Sequence, residues 1–322
     1  MSSKYKKSYG RLSKRKPLSD KQFALAVTIP VAIILLSMVI YPLSYSFYLG
    51  MNSFKVRKGK MQMEFVGADN YIEAITDPSI QNSILKTLQY GLEGVMLSVF
   101  LSLVMALVLN EAFKGRAVLR VIALLPWAIS DFMTGVSWKY LLIQGVGFVD
   151  AVMLRSGLAT QTAHYITKDS AIHLLAIAEA WHVAPIGAFF LLAGLQVIPE
   201  DIVRQAQVDG ASAFKRFYKI KLPLIQYSLL ITFVISTLFI LQALDVVLLL
   251  TGGGPGIATQ TLPYMTYKEF FSLFHLGYGA AISYILLGIV FCVAMSWFKL
   301  LYRGASKQTV IKKQKAAVVT AE

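Results

Sequence analysis

Glu179 and His182 stand in Glu-x-x-His spacing inside a long apolar run, a spacing that di-iron helix bundles use. Such a site needs a second copy of the pair and two further glutamates. The sequence holds no second copy, so no metal centre is expected. His164, His173 and His275 have no ligand-like spacing, and no Ser/His/Asp or Cys/His grouping presents itself. Residues 251–256 read T-G-G-G-P-G, glycine-rich as phosphate-binding loops are. The run lacks the Lys-Ser/Thr ending of a nucleotide loop and follows no strand. Gly252, Gly253, Gly254 and Pro255 are therefore read as a backbone turn, and no ATP site is expected in this chain. Cys292 is the only cysteine, which excludes an internal disulfide framework and a cysteine metal site.

The chemistry left is recognition. Glu93, Asp131, Glu179 and Asp245 are ionisable groups within apolar runs. Facing lipid they would be expensive, so each should face a protein interior or a water-filled path. Asp131 and Asp245 fall near the ends of their runs, where an interhelical hydrogen bond serves equally well. Glu93 and Glu179 lie deeper and are the better candidates for a path. Trp181, Phe189, Phe190 and Phe239 could stack on the apolar face of a sugar or simply pack between helices.

The elements that must position these groups are read from composition. The chain has 322 residues, is 56% hydrophobic and has a mean hydropathy of +0.61, too apolar for an ordinary soluble domain. Apolar runs at 23–49, 81–109, 118–143, 171–197, 225–250 and 280–301 each reach the roughly 20 residues needed to cross a bilayer. The first run is too long for a signal peptide, and no small-x-small cleavage site follows it. The expected fold is an all-α membrane protein with six transmembrane helices. Its membrane domain, 23–302, lies between a basic tail at 1–22 and a C-terminal tail at 303–322. Residues 50–80 are mixed, 144–170 polar and partly helical.

The formal net charge is +14. Lys and Arg concentrate before residue 22, after the second run (Lys114, Arg116, Arg120), between the fourth and fifth (Arg204, Lys215, Arg216, Lys219, Lys221), and from Lys299 onward. In a six-span chain these stretches share one side, and the excess marks it as cytoplasmic, with both termini there. Lys55, Arg57, Lys58 and Lys60 fall on the other side as a local exception. Topology accounts for the basic charge, so no nucleic-acid partner is expected.

Between spans four and five lies a charged interruption, residues 198–223. Pro199 suits a helix start, and Glu200 and Asp201 occupy the first turn, where the helix dipole favours anions. Ile202, Val203 and Ala206 recur at helical spacing, and Gly210 breaks the pattern. A second amphipathic run sets Phe214, Phe217 and Tyr218 against Lys215, Arg216 and Lys219, and Pro223 is expected to end it. Two short helices joined at a glycine make a knob able to enter a groove on a soluble partner.

These residues resemble the cytoplasmic loop of permease subunits in ATP-binding-cassette importers, whose pattern is Glu-Ala-Ala-x-x-Asp-Gly-Ala, then Phe, then Leu-Pro. Here it stands as Arg204-Gln205-Ala206-Gln207-Val208-Asp209-Gly210-Ala211, then Phe214 or Phe217, then Leu222-Pro223. F-V-G-A-D-N-Y at 65–71, L-P-W-A at 125–128, L-T-G-G-G-P-G-I-A-T around the outer turn and G-Y-G-A-A at 277–281 are typical of the carbohydrate branch, the maltose-type first permease subunit. The likeness covers nearly the whole chain after residue 20. The large extracytoplasmic insert and extra N-terminal spans of the maltose protein are absent, so the chain resembles the short, six-span form.

The resemblance implies the type I importer permease fold, with residues 198–223 as a coupling helix seated on a cytoplasmic ATPase. Ala206, Asp209, Gly210, Ala211, Phe214 and Phe217 would carry that contact. Arg204 replaces the family's glutamate and Gln205 its first alanine. The implied partners are a second, related permease, two ATPase copies and an extracytoplasmic solute-binding protein. The setting is a bacterial or archaeal inner membrane, and ATP and Mg would sit on the ATPases, leaving this chain without cofactor or catalytic site. Ser236 and Phe239 match the family's pocket residues in type, as does Pro185. Two pocket asparagines correspond to Ile240 and Ala243, and a pocket tyrosine to Ile186. Gln242, Trp181 and His182, with Glu179 and Glu93, are the remaining candidates for the substrate path. The expected cargo is a sugar, oligosaccharide or polyol, with a glycerol-phosphate compound as the alternative. A proton-coupled carrier using Glu93 and Glu179 is a second reading, weakened by the lack of inverted repeats. A membrane-embedded enzyme lacks a convergent catalytic set.

Overall fold

The computed structural model describes residues 19–57 and 60–319. The basic tail through residue 18 lies outside the described residues. Helix α1 (Asp20–Gly50) is apolar along its length, and as far as Leu49 it forms one unit. Everything from Gly50 onward forms the second.

The second unit opens with a hairpin of β1 (Asn52–Arg57) and β2 (Lys60–Phe65), antiparallel with Asn52 opposite Phe65 and Arg57 opposite Lys60. This corrects the all-α expectation. Phe54 and Val56, then Met61, Met63 and Phe65, alternate with polar residues, the period of a strand. Lys55, Arg57 and Lys60 of the unexpected basic cluster belong to the strands of this hairpin, and Lys58 lies outside the described residues. Helix α2 (Asp69–Thr76) follows, then α3 (Pro78–Asn110), which Asp77 caps by accepting from Ser79 N at 2.8 Å, with Pro78 in the first turn. Asn70 Nδ2 donates to the carbonyls of Gly50 and Asn52, anchoring the hairpin to α2.

The expected third span is not one helix. Helices α4 (Arg116–Ala128) and α5 (Asp131–Leu141) meet at a 93° bend. Pro126 removes a backbone donor from the last turn of α4. Ser130 then caps α5, accepting from Met133 N at 3.3 Å, with Asp131 in the first turn. Those are helix-start signals buried in an apolar run. Helix α6 (Phe148–Arg155) precedes α7 (Ala171–Gln196), the most buried of the long helices.

Helix α8 (Glu200–Val208), helix α9 (Ala213–Arg216), a π turn (Phe217–Lys221) and α10 (Leu222–Leu224) lead to α11 (Gln226–Gln242). Pro223 does not end the knob. It sits in the first turn of α10, where its missing N–H is harmless, and the chain turns by 72° afterwards, at Ile225. The expected fifth span at 225–250 also divides. Extended backbone at Ala243 separates α11 from α12 (Asp245–Leu250). Helix α13 (Leu262–Tyr267), a second π turn (Lys268–Ser272) and α14 (Leu276–Val319) complete the chain. Among the described residues four helices are long and apolar enough to cross a membrane, or six if each bent pair counts as one span.

Small residues let the helices approach. Ser102 Oγ on α3 reaches Ala184 O on α7 at 2.8 Å, and Ser98 Oγ lies 3.2 Å from Ser236 Oγ on α11. A Cβ at Gly187 would meet Thr232 Cγ2 at 2.8 Å. Lipid tails give apolar helices no hydrophobic reason to associate, so close packing and such hydroxyl bonds hold them. Trp297 on α14 stacks on Phe233 of α11 and donates Nε1–H to Thr237 Oγ1 at 3.0 Å.

The polar stretch 144–170 is ordered by one carboxylate. Asp150, buried in α6, accepts from Gly145 N (2.5 Å), Ala163 N (3.2 Å) and Tyr165 OH (2.6 Å). The Tyr165 bond, then the Gly145 N–H, hold the Asp150 carboxyl below the usual aspartate range. A lowered folded-state value contributes stability that is fully present above the unfolded aspartate value of about 3.9 and is lost as pH falls through the lowered one. Limited proteolysis of the full chain should therefore show cleavage between Gly157 and Thr162 rising only in strong acid, and already at neutral pH in Asp150→Ala. Equal resistance of both proteins at neutral pH would contradict this.

Candidate functional site

The first site is the knob. Helix α8 ends in a Schellman turn: Ala211 N donates to Ala206 O (2.9 Å) and Gly210 N to Gln207 O (3.1 Å), with Gly210 at φ +75°. Asp209 is the residue that closes the helix, and its own N–H donates to Gln205 O. Ser212 restarts the chain by accepting from Lys215 N, and Arg216 Nη1 donates to Ala211 O at 2.6 Å. Arg204, where the resemblance leads one to expect glutamate, pairs with Glu200 one turn earlier at 2.5 Å. Both are exposed, so the pair contributes little stability.

The knob's surface is apolar where it need not be. Val208 is 88% exposed and Phe214 76%, and Phe214 stacks on Tyr218 with ring centroids 6.3 Å apart. Phe217 is half-buried instead. Large apolar side chains are thus held outward beside charged ones.

The second site lies among the spans. His182 on α7 is buried, and both ring nitrogens are occupied. Nε2 lies 2.7 Å from Asp131 Oδ1, while Nδ1 donates to Pro126 O at 2.8 Å and lies 3.2 Å from Thr134 Oγ1. One imidazole thus bridges both sides of the bend between α4 and α5, taking up the carbonyl of Pro126. Glu179, one turn earlier, is 1% exposed; its Oε2 and the hydroxyl of buried Tyr90 have no hydrogen-bond partner among the described residues.

Glu93 belongs to a different face. Lys86 Nζ donates to Gln89, Gln89 Nε2 to Glu93 Oε1 (3.1 Å), and Glu93 Oε2 lies 2.7 Å from His173 Nδ1 on α7. This polar stripe is half-exposed. Trp181 is also exposed, one face of α7 on from His173 and Ile177, and meets Trp138 of α5 edge to face at 6.1 Å. Phe239, 44% exposed, and Gln242 share a face of α11. Ser236 is fully buried in the contact between α3 and α11, its Oγ against Ser98 Oγ.

Gly252, Gly253 and Gly256 all have positive φ, and Thr259 Oγ1 donates to Gly254 O at 2.7 Å and lies 2.8 Å from Thr251 Oγ1. The glycine run is a closed backbone turn. Gly253 is further constrained, since a Cβ there would collide with the Tyr264 ring.

Sequence reading selected Glu179, His182 and Glu93 and expected an interhelical bond for Asp131, but it did not pair Asp131 with His182, nor find Thr134 beside His182 or His173 beside Glu93. The signal available was that an ionisable group in a span needs a partner. Which partner depends on how the spans cross. Among the described residues no three His, Cys, Asp or Glu side chains converge as a metal site would require.

Residues 98–304 match the family model of the binding-protein-dependent transport system inner membrane component. The chain is 32% identical over 275 residues to the trehalose/maltose transport system permease protein of Thermococcus litoralis, covering 84% of this chain and 90% of that one. It is 29% identical to the sulfoquinovosyl glycerol transport system permease protein of Agrobacterium fabrum, covering 88% and 92%. The sn-glycerol-3-phosphate transport system permease protein of the same organism is 28% identical, covering 74% and 81%. In fold it is similar to a chain of a bacterial ABC transporter that imports the acidic polysaccharide alginate, with a TM-score of 0.73 at 17% identity, covering 88% of this chain and 96% of that one.

Proposed function

Because the chain belongs to the family of binding-protein-dependent transport system inner membrane components, we propose that it forms half of a path by which a neutral sugar, oligosaccharide or polyol crosses the membrane. It is a permease subunit of a binding-protein-dependent ABC importer. The knob at 198–223 couples it to one of two cytoplasmic ATPases, which carry ATP and Mg, while a second permease completes the path and an extracytoplasmic solute-binding protein delivers the cargo. The chain itself moves solute and does no covalent chemistry. Both termini and the knob face the cytoplasm, a reading that the Lys/Arg excess supports.

The carrying observation for coupling is the Schellman turn at Gly210, flanked by exposed Val208, Phe214 and Tyr218. For cargo it is the composition of the exposed span faces. Trp181, Phe239 and Gln242 offer ring faces and an amide, Glu93 and Asp131 offer hydroxyl acceptors, and α3, α5, α7 and α11 contain no arginine. Carboxylates and ring faces suit a neutral polyhydroxylated solute better than a phosphate ester, whose recognition favours arginine. Among the relatives, these features support a cargo of the trehalose/maltose type.

Uptake into sealed vesicles holding the assembled importer tests the reading. Import should require the ATPases and ATP. Import driven by a proton gradient alone would favour a self-sufficient carrier. Phe239→Ala and Gln242→Ala should each lower uptake by up to about tenfold, the loss of a stacking face or an amide bond, with assembly intact. Normal uptake by both would place the path elsewhere.

A further inference from the structure

At the junction of the knob and the spans lies a cavity of about 760 Å3, between the end of α3, the start of α4, the end of α7 and α8. Arg116, Arg120, Arg204, Arg216 and Lys221 line it, against two carboxylates, Glu111 and Glu200. Glu200 is already paired with Arg204. The arginines are partly used as caps: Arg116 donates weakly to the carbonyls of Asn110 and Glu111, Arg120 Nη2 to Leu109 O at 3.2 Å, and Arg216 to Ala211 O. Those bonds leave a surplus. Arg120 Nε is shut off from solvent and donates to nothing among the described residues, although a guanidinium offers five donors. Lys221 has no partner among them either.

We infer that this cavity binds a phosphate-type oxyanion, either a free phosphate group or the headgroup of an anionic lipid. Surplus cations gathered in a partly enclosed space repel one another, and an anion removes that cost. A tetrahedral oxyanion accepts from several directions at once, and the arginine fork matches it. The cations come from two parts of the chain, Arg116 and Arg120 from the turn after α3, and Arg204, Arg216 and Lys221 from the knob. The anion therefore ties the knob to the spans. The site rests on side-chain geometry; only its bearing on coupling rests on the function proposed above.

The test reads binding, not import, so the two can fail separately. The full chain in zwitterionic detergent is melted with increasing inorganic phosphate, against sodium chloride at matched ionic strength. In parallel it is placed in nanodiscs of phosphatidylcholine with or without phosphatidylglycerol, and retained lipid is counted by native mass spectrometry. Two variants are compared, Arg120→Gln and Lys221→Gln; the second breaks no backbone cap and should fold normally. A saturable rise in melting temperature with phosphate, weakened about tenfold in Lys221→Gln, supports the site with a free anion as ligand. Retention of phosphatidylglycerol by the wild-type chain and its loss in Lys221→Gln supports the site with a lipid headgroup. If neither arm separates wild type from Lys221→Gln, the proposal is overturned. It is equally overturned if Lys221→Gln loses only the ATPase, which would mean that a partner's carboxylate fills the cavity.

Discussion

Gly210→Pro should abolish import while leaving the spans folded. The Schellman turn needs φ near +75° at this residue, and proline holds φ near −65°. Proline also removes the N–H that reaches Gln207 O, and the Ala211 to Ala206 bond loses its geometry. The expected cost is about 3 kcal/mol in the conformation that docks, close to a hundredfold in ATPase affinity. Gly210→Ala keeps the N–H and meets only the left-handed penalty of about 1–2 kcal/mol, so it should lose about tenfold. Nothing lies within 4 Å of a Cβ at this position, so the penalty is conformational and not a clash. Co-purification of the ATPase and ATP-driven uptake should fall in the order wild type, alanine, proline, with span melting unchanged. Wild-type uptake by the proline variant would remove the coupling role from residues 198–223.

His182→Ala is expected to be the most damaging single change among the spans. It strips a partner at once from Asp131, Pro126 O and Thr134, across the bend that joins α4 to α5. Removing one member of a buried bonded set leaves the others desolvated and unpaired. Asp131 keeps part of its solvent contact, with 44% of its side chain exposed, which reduces the cost of orphaning it. A loss of about 2 kcal/mol is expected, read as a lower melting temperature of the detergent-solubilised chain. Asp131→Asn should be milder, because an amide still offers an acceptor to Nε2. In a double-mutant cycle, Asp131→Ala combined with His182→Ala should cost less than the sum of the two. Strict additivity would show that the ion pair does not hold the bend.

Both predictions show where sequence reading reaches and where it stops. The length of apolar runs located the long helices among the described residues and Lys/Arg distribution gave their expected orientation, because a bilayer imposes length and charge rules that are local in sequence. The same rules gave one continuous run at 118–143 and another at 225–250. Within those runs Pro126, Ser130 and Asp131, or Ala243 and Asp245, interrupt the backbone without interrupting the hydropathy. A window average is blind to a cap placed among leucines. The hairpin at 52–65 was legible in its alternation, which the mixed composition of 50–80 concealed.

By itself the sequence determined that the chain holds six apolar runs long enough to cross a membrane, that a glycine-jointed knob interrupts it between the fourth and fifth of them, and that the knob carries a pattern similar to a coupling loop. Those properties depend on neighbours within a few residues: a turn at Gly210 is set by the bonds from 210 and 211 back to 207 and 206. Only the tertiary structure decided that Asp131 meets His182, that Glu93 meets His173, that Ser236 faces Ser98, and that basic residues from two distant segments line one cavity. A span's hydropathy fixes how long it is but not how it rotates about its axis. Rotation is set by where Gly94, Ser102 and Gly187 allow backbones to touch, and that choice is made jointly by helices far apart in the chain.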